Sequence, residues 1–267
     1  MPLQISYAQS VITPALERPV YLAGFGQNRR AESIHDPLYA RALALHDNQQ
    51  VLVLCALDLI GLFHPDVQDV IQKVQEIRPD TQVIIACTHT HHGPDTMGLW
   101  GPDDQTRGVD AVYLSWLKTQ LVETILAAVS NPAPGVARFK AVGIAVPGVA
   151  KNARNPEVVD DELAVLQFIA ADGQVLSTLV DFPCHPEVLW ETNPHITADY
   201  PGVLRREIET TTLAPCIFFS GSLGGMMTPD VQEHSFAEAD QMGRSLATAA
   251  LAALTTAEAR PAPHLSR

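Results

Sequence analysis

Positive charge is scarce in this 267-residue sequence: 17 Lys and Arg stand against 30 Asp and Glu, a formal charge of −13. Nucleic-acid binding is dominated by phosphate neutralisation, and no Lys/Arg cluster supplies it, so nucleic acid is excluded as a partner. Anionic membrane surfaces are disfavoured for the same reason. Long apolar runs are missing too. The greasiest stretch, residues 51–63, is interrupted by Asp58, and none reaches the ~18 residues of a membrane span. The first residues hold no basic segment followed by an apolar one, so no secretory signal is visible and a cytoplasmic protein is expected. Cysteine is limited to Cys55, Cys87, Cys184 and Cys216, each in or beside an apolar run and none in a Cys-x-x-Cys pair. A disulfide-stapled scaffold is thereby excluded, and buried, reduced thiols are expected. Internal repeats and low-complexity blocks are also absent.

What is present is a core-forming composition, 46% hydrophobic and 18% charged, long enough for one large domain or two small ones. Short apolar runs bounded by turn residues predict strands at 20–24, 39–46, 51–58 and, buried, at 83–87. Further strands are predicted at 136–149, 163–169, 175–184 and 215–219, with a hairpin turn at 171–174. Apolar residues at helical spacing predict helices over 65–77, 110–129 (capped by Asp110), about 199–211 and 236–254. Strands and helices in this order imply an α/β fold: a single domain, residues 1–257, with a mixed β-sheet core flanked by helices. A loose Pro-containing tail, 258–267, is expected after it.

Histidine carries the chemical signal. The run Thr88-His89-Thr90-His91-His92-Gly93-Pro94 directly follows the predicted strand 83–87. Side chains at i and i+2 of an extended segment face one way, so His89 and His91 converge at a strand end while His92 faces away. Two imidazoles so placed hold a transition metal, or pair a ligand with an acid/base. His185 ends the strand 175–184 in the same manner and is a candidate second metal ligand; alone, it would read as a packed loop residue. Asp58, Asp95, Glu187 and Asp199 are the carboxylates on offer. Of these, Asp58 is singled out as a ligand or as a residue orienting one, and Asp199 as a ligand or a helix cap.

After the strand 215–219, Ser220-Gly221-Ser222-Leu223-Gly224-Gly225 offers backbone N–H groups to an anion or a developing oxyanion, chiefly at Gly221, Gly224 and Gly225. It lacks the Gly-Lys-Ser/Thr of a P-loop. It half-matches a nucleophile elbow, but Met226-Met227-Thr228-Pro229-Asp230 is a poor helix start, and little chain remains for a Ser-hydrolase triad. The His run departs from the metallo-β-lactamase pattern, with Gly and Pro where Asp and His belong. Too few βα units surround it for an amidohydrolase barrel.

Six stretches, at 34–42, 88–94, 160–168, 182–186, 197–202 and 221–229, together resemble the N-terminal catalytic domain of the neutral/alkaline non-lysosomal ceramidases. The resemblance runs from about residue 18 to 231 and identifies the chain as a short, single-domain bacterial-type relative. It implies a zinc-dependent amidase. By position, His89 and His185 become zinc ligands, His91 lines the pocket as catalytic support, and Thr228 takes the place of a loop Ser. Asn152 and Arg154 fall where that family contributes polar substrate contacts. The family draws two further zinc ligands, a Glu and a Tyr, from well beyond this chain's length. Gly225 or Met226 stands where its loop has Asp, and His92 where it has Ser.

The expectation is therefore a hydrolase that uses a metal ion, zinc first, to cleave an amide or related C–N bond in a small molecule. Neither nucleic acid nor membrane insertion is expected, and a homo-oligomer is left open. The competing expectation is a non-catalytic relative that keeps the fold and binds a ligand or partner without turnover.

Overall fold

Along the strand Tyr39–Asp47, Ala40, Ala42 and Ala44 alternate with Arg41, Leu43 and Leu45, and both sets are buried. The computed structural model, which describes residues 3–47, 50–130 and 135–261, shows why. The N-terminal half contains β1 (Gln4–Val11), β2 (Ser33–Ile34), β3 (Tyr39–Asp47), β4 (Gln50–Leu57), α1 (His64–Ile77), β5 (Thr81–Cys87) and α2 (Ala111–Ser130). The C-terminal half contains β6 (Val136–Ala145), β7 (Ala150–Asn152), β8 (Glu162–Ala170), β9 (Val175–Phe182), β10 (His195–Ile196), α3 (Tyr200–Thr212), β11 (Cys216–Ser220), β12 (Met227–Pro229), α4 (Phe236–Thr256) and β13 (Arg260–Pro261).

Two mixed sheets result, in the orders β1-β3-β4-β5 and β11-β9-β8-β6-β13, where one mixed sheet was expected. Each has one parallel pair, β4 with β5 and β9 with β11. The sheets face each other across Leu43, Leu45, Ala56, Phe168, Leu179 and Ile217. On its outer face the first sheet presents Ala40, Ala42, Ala44, Val53 and Cys55 to α1 and α2. The second presents Val165, Val180, Phe182 and Phe218 to α3 and α4. The layers thus run helix, sheet, sheet, helix. A strand buried on both faces shows no apolar/polar alternation, so the sequence pattern alone does not divide the apolar strands between two sheets.

Other local differences have equally local causes. Residues 20–24, all buried but Tyr21, form isolated bridges, Tyr21 to Arg30 and Leu22 to Pro94, in place of a strand. β1, not expected from the sequence, pairs along its whole length with β3. β5 is an edge strand with Ile84 half exposed, not the buried strand expected. The tail does not start loose: Arg260 and Pro261 pair with β6, and residues 262–267 lie outside the described residues. α4 packs against α3 at Gly243, where a Cβ would lie 2.6 Å from that of Val203. The four cysteines are free, and burial pushes the Cys55, Cys87 and Cys216 thiols up to about 12. Among the described residues no helix is long and apolar enough to cross a membrane.

Candidate metal centre

The carboxyl ends of the two parallel pairs meet at one place. Loops leaving the carboxyl ends of parallel strands are where α/β folds build their sites. β5 runs into Thr88 and His89, β9 into Cys184 and His185, and Ser220 at the end of β11 donates its hydroxyl to Thr88 O at 2.6 Å. The rings of His89, His91 and His185 form a triangle with centroid separations of 5.2, 5.2 and 5.5 Å. One ring nitrogen from each lies within 4.8 Å of the other two.

What stands behind each ring decides which nitrogen that is. His89 Nδ1 lies 2.7 Å from Ile60 O, and His185 Nδ1 lies 2.6 Å from Met227 O. A carbonyl oxygen only accepts, so in both rings Nδ1 carries the proton and the Nε2 lone pair is left free. His91 Nδ1 faces Glu187 Oε2 at 3.0 Å, within ion-pair distance although not aligned as a hydrogen bond. Its Nε2 is buried without a hydrogen-bond partner. Burial, then the neighbouring imidazoles, lowers the His89 pKa to about 4, so that ring is neutral at pH 7. Burial disfavours the Glu187 carboxylate, but His91 and the Thr228 hydroxyl outweigh it and hold the pKa below the ordinary value. Three imidazoles, each with an oxygen behind Nδ1, suit a divalent transition metal. The unpartnered His91 nitrogen is the atom such an ion would satisfy.

His89 and His91 converge, but not on an extended segment. The strand stops at Cys87 and His89 adopts a left-handed conformation, φ 68°. His91, expected as catalytic support, lies in the same group as His89 and His185. Its ring passes so close to Gly24 (φ 79°) that a Cβ there would lie 2.6 Å from it. His92 turns away and is fully buried, its Nδ1 receiving Asn193 Nδ2 at 3.2 Å and its Nε2 3.5 Å from Asp199 Oδ2.

Neither carboxylate singled out from the sequence joins the three rings. Asp58 is fully buried and takes both Arg205 Nη groups at 2.7 Å, together with the Tyr39 N–H. Asp199 caps α3 through Tyr200 N, and burial raises its pKa to about 7. Asp95 accepts four N–H groups of the loop after it. Glu187 is the carboxylate that reaches the site. It stands two residues after His185, the same spacing that relates His89 to His91, and that signal was present in the sequence.

Of the groups expected at the substrate, Thr228, Asn152 and Gly221 are hydrogen-bonded within the protein, while the Arg154 side chain, Gly224 and Gly225 are exposed. Thr228 donates its hydroxyl to Glu187 Oε1 at 2.8 Å. Asn152 closes its own turn, accepting from Arg154 N and Asn155 N and donating to Val158 O, while the Arg154 side chain is exposed. Gly221 gives its N–H to Phe182 O, and Gly224 and Gly225 sit exposed in one 3-10 turn. Two residues after that turn, the Met227 carbonyl holds His185 Nδ1. The rim is aromatic: Phe25 lies 4.9 Å edge-on from His91, and Trp190 lies 5.0 Å from Phe25 while stacking on His234. A cavity of about 390 Å³ beside the start of α2, lined by Pro14, Arg18, Tyr21, Tyr113 and Trp116, includes none of the three histidines.

No family model matches the chain, and no curated protein matches it. Solved structures do. A ceramidase complexed with C2 superposes with a TM-score of 0.82 and 19% identity over 96% of this chain. Neutral ceramidase from Pseudomonas aeruginosa superposes with a TM-score of 0.81 and the same identity and coverage. The chain spans 44% and 45% of those proteins, less than half their length. At that identity the likeness is one of fold, and the fold is the one the six stretches implied.

Proposed function

We propose that the chain is a metal-dependent hydrolase, zinc being the metal best suited, that cleaves an amide or related C–N bond in a small molecule. One observation carries this reading: three imidazoles from two loops bring one ring nitrogen each within 4.8 Å of the others, and each has an oxygen behind Nδ1. Three histidines with a further position left to solvent or substrate is a catalytic rather than a structural donor set. The metal, when bound, supplies Lewis-acid polarisation of a carbonyl and acidification of water. The protein's part is to keep the rings oriented and to keep them dry. Ile60 and Met227 fix two tautomers, Glu187 stands behind the third, and Phe25 and Trp190 wall the mouth with apolar surface. The ceramidase likeness supports an amide as the bond attacked. The loops bordering the site, not the fold, decide which amide.

A second reading, ligand binding without turnover, draws on the same geometry. Thr228, Asn152 and Gly221 spend their polar groups inside the protein and present none to a substrate. Turnover separates the two. Zinc-loaded protein is assayed against N-acyl amides of graded chain length, beside His89→Ala and His185→Ala. The expected result is hydrolysis by the parent that a chelator abolishes and that each variant lowers at least about 10³-fold, the scale of losing preorganised charge stabilisation. Full activity in His185→Ala overturns the hydrolase reading. Tight metal binding with no amide cleaved favours the second.

A further inference from the structure

We infer that Glu187 and Thr228 form a buried pair that positions His91 as the third metal donor, an inference that rests on the metal site proposed above. Thr228 Oγ1 donates to Glu187 Oε1 at 2.8 Å, and Glu187 Oε2 stands 3.0 Å from His91 Nδ1. Both residues are buried, Glu187 at 4% exposure and Thr228 at 6%. A carboxylate so deep in the protein is unfavourable unless something compensates it. The interactions found at its side-chain oxygens are those with Thr228 and His91, and no Lys or Arg pairs with it among the described residues. Among the described residues this buried carboxylate therefore stands against a metal-site imidazole and a hydroxyl and against no Lys or Arg. Such a carboxylate behind Nδ1 fixes the tautomer, orients the ring and makes Nε2 a stronger donor.

The same two segments hold two of the three ligands. Glu187 closes a tight turn onto His185 O (3.0 Å), and Met227, next to Thr228, takes His185 Nδ1 on its carbonyl. β12 is thus the brace: Met227 sets His185 directly, and Thr228 sets His91 through Glu187. This gives the Thr at 228 a place in the site without contact with substrate. It also accounts for a third imidazole donor in a chain where Asp58 and Asp199 are committed elsewhere.

The test compares the full-length parent with Glu187→Gln, Glu187→Ala, Thr228→Val and Thr228→Ser. Zinc affinity is measured by competition with a chromophoric chelator. The His91 tautomer is read from imidazole ¹⁵N shifts of the metal-free protein, and thermal melting of the metal-free proteins is followed alongside. Zinc affinity is expected to fall about 10–100-fold in Glu187→Ala, less in Glu187→Gln and Thr228→Val, and to stay at the parent value in Thr228→Ser. His91 is expected as the Nδ1–H tautomer in the parent and shifted towards Nε2–H in Glu187→Ala. If Glu187→Ala does not fold, Glu187→Gln carries the comparison. Unchanged zinc affinity and tautomer in the Glu187 variants, even with lowered melting temperatures, overturn the inference and leave the metal site standing. A parent that binds no zinc overturns the metal site and the inference with it.

Discussion

Gly24 shows how much of this site is decided by single residues. Its φ of 79° belongs to the region L side chains avoid, and a Cβ would press on the His91 ring at 2.6 Å. Gly24→Ala therefore costs about 1–2 kcal/mol in backbone strain and must also displace His91. The expected outcome is a folded protein with weakened zinc binding; zinc affinity equal to the parent's would show that His91 is not a donor. The left-handed conformations of Phe25, His89, Trp190 and Met226 occur around the same point. Strain of this kind persists only where surrounding structure holds it, and it gathers at functional sites. None of it is legible in the sequence, because a Phe or Trp at positive φ carries no compositional mark. The histidines themselves were legible, since three imidazoles at strand ends have few packing uses. Which nitrogen each one presents was not, because Ile60 and Met227 act through their carbonyls.

At the scale of elements, α3 ties the C-terminal half to the N-terminal one through ion pairs. Its Arg205 reaches Asp58 at the end of β4 with two bonds of 2.7 Å, both side chains being almost fully buried. Burial works against the Arg205 charge, but the Asp58 carboxylate more than offsets this and drives the pKa above its usual value. Removing one partner strands the other, so Arg205→Ala is expected to destabilise by about 3–5 kcal/mol. Asp58→Asn with Arg205→Met, which leaves no buried charge, should recover much of that loss in denaturant melts. The start of α3 gives a pH signature. The Asp199 carboxyl titrates near 7 in the fold against roughly 3.9 when unfolded. The folded state therefore binds more protons between those values, and its stability contribution is complete below pH ~4 and lost as pH rises through 7. Asp199→Asn lacks this dependence. Its melting temperature relative to the parent should climb from pH 4 to 7 and level off above; a difference that is flat with pH would contradict a protonated Asp199. Helix positions were read well from periodicity and the caps Asp110 and Asp199. The site role expected of Asp58 was misplaced because nothing local marks an Arg 147 residues onward as its partner.

At the scale of the molecule, the described residues build four layers from two main sheets and four helices, and the cluster of His89, His91 and His185 sits where strands of both sheets end. Building a site from two sheets requires their relative placement to be fixed. The apolar layer between them and the crossing pair of Arg41 with Glu209 and Cys216 O supply this. The fold class was legible from the alternation of elements, and its division into two sheets was not. A sheet covered on both faces has the same apolar pattern whether its neighbour is a helix or another sheet. The resemblance in six short stretches reached further than the pattern did, and the superposition on ceramidases extends it over nearly the whole chain.

Whether His89, His91 and His185 hold one metal ion is tested most directly by elemental analysis. Untagged protein is equilibrated with zinc, freed of unbound ion and measured beside His89→Ala and His185→Ala. The expected result is close to one zinc per chain in the parent and almost none in either variant. A parent without zinc, or variants that keep it, would contradict a metal centre at these three histidines.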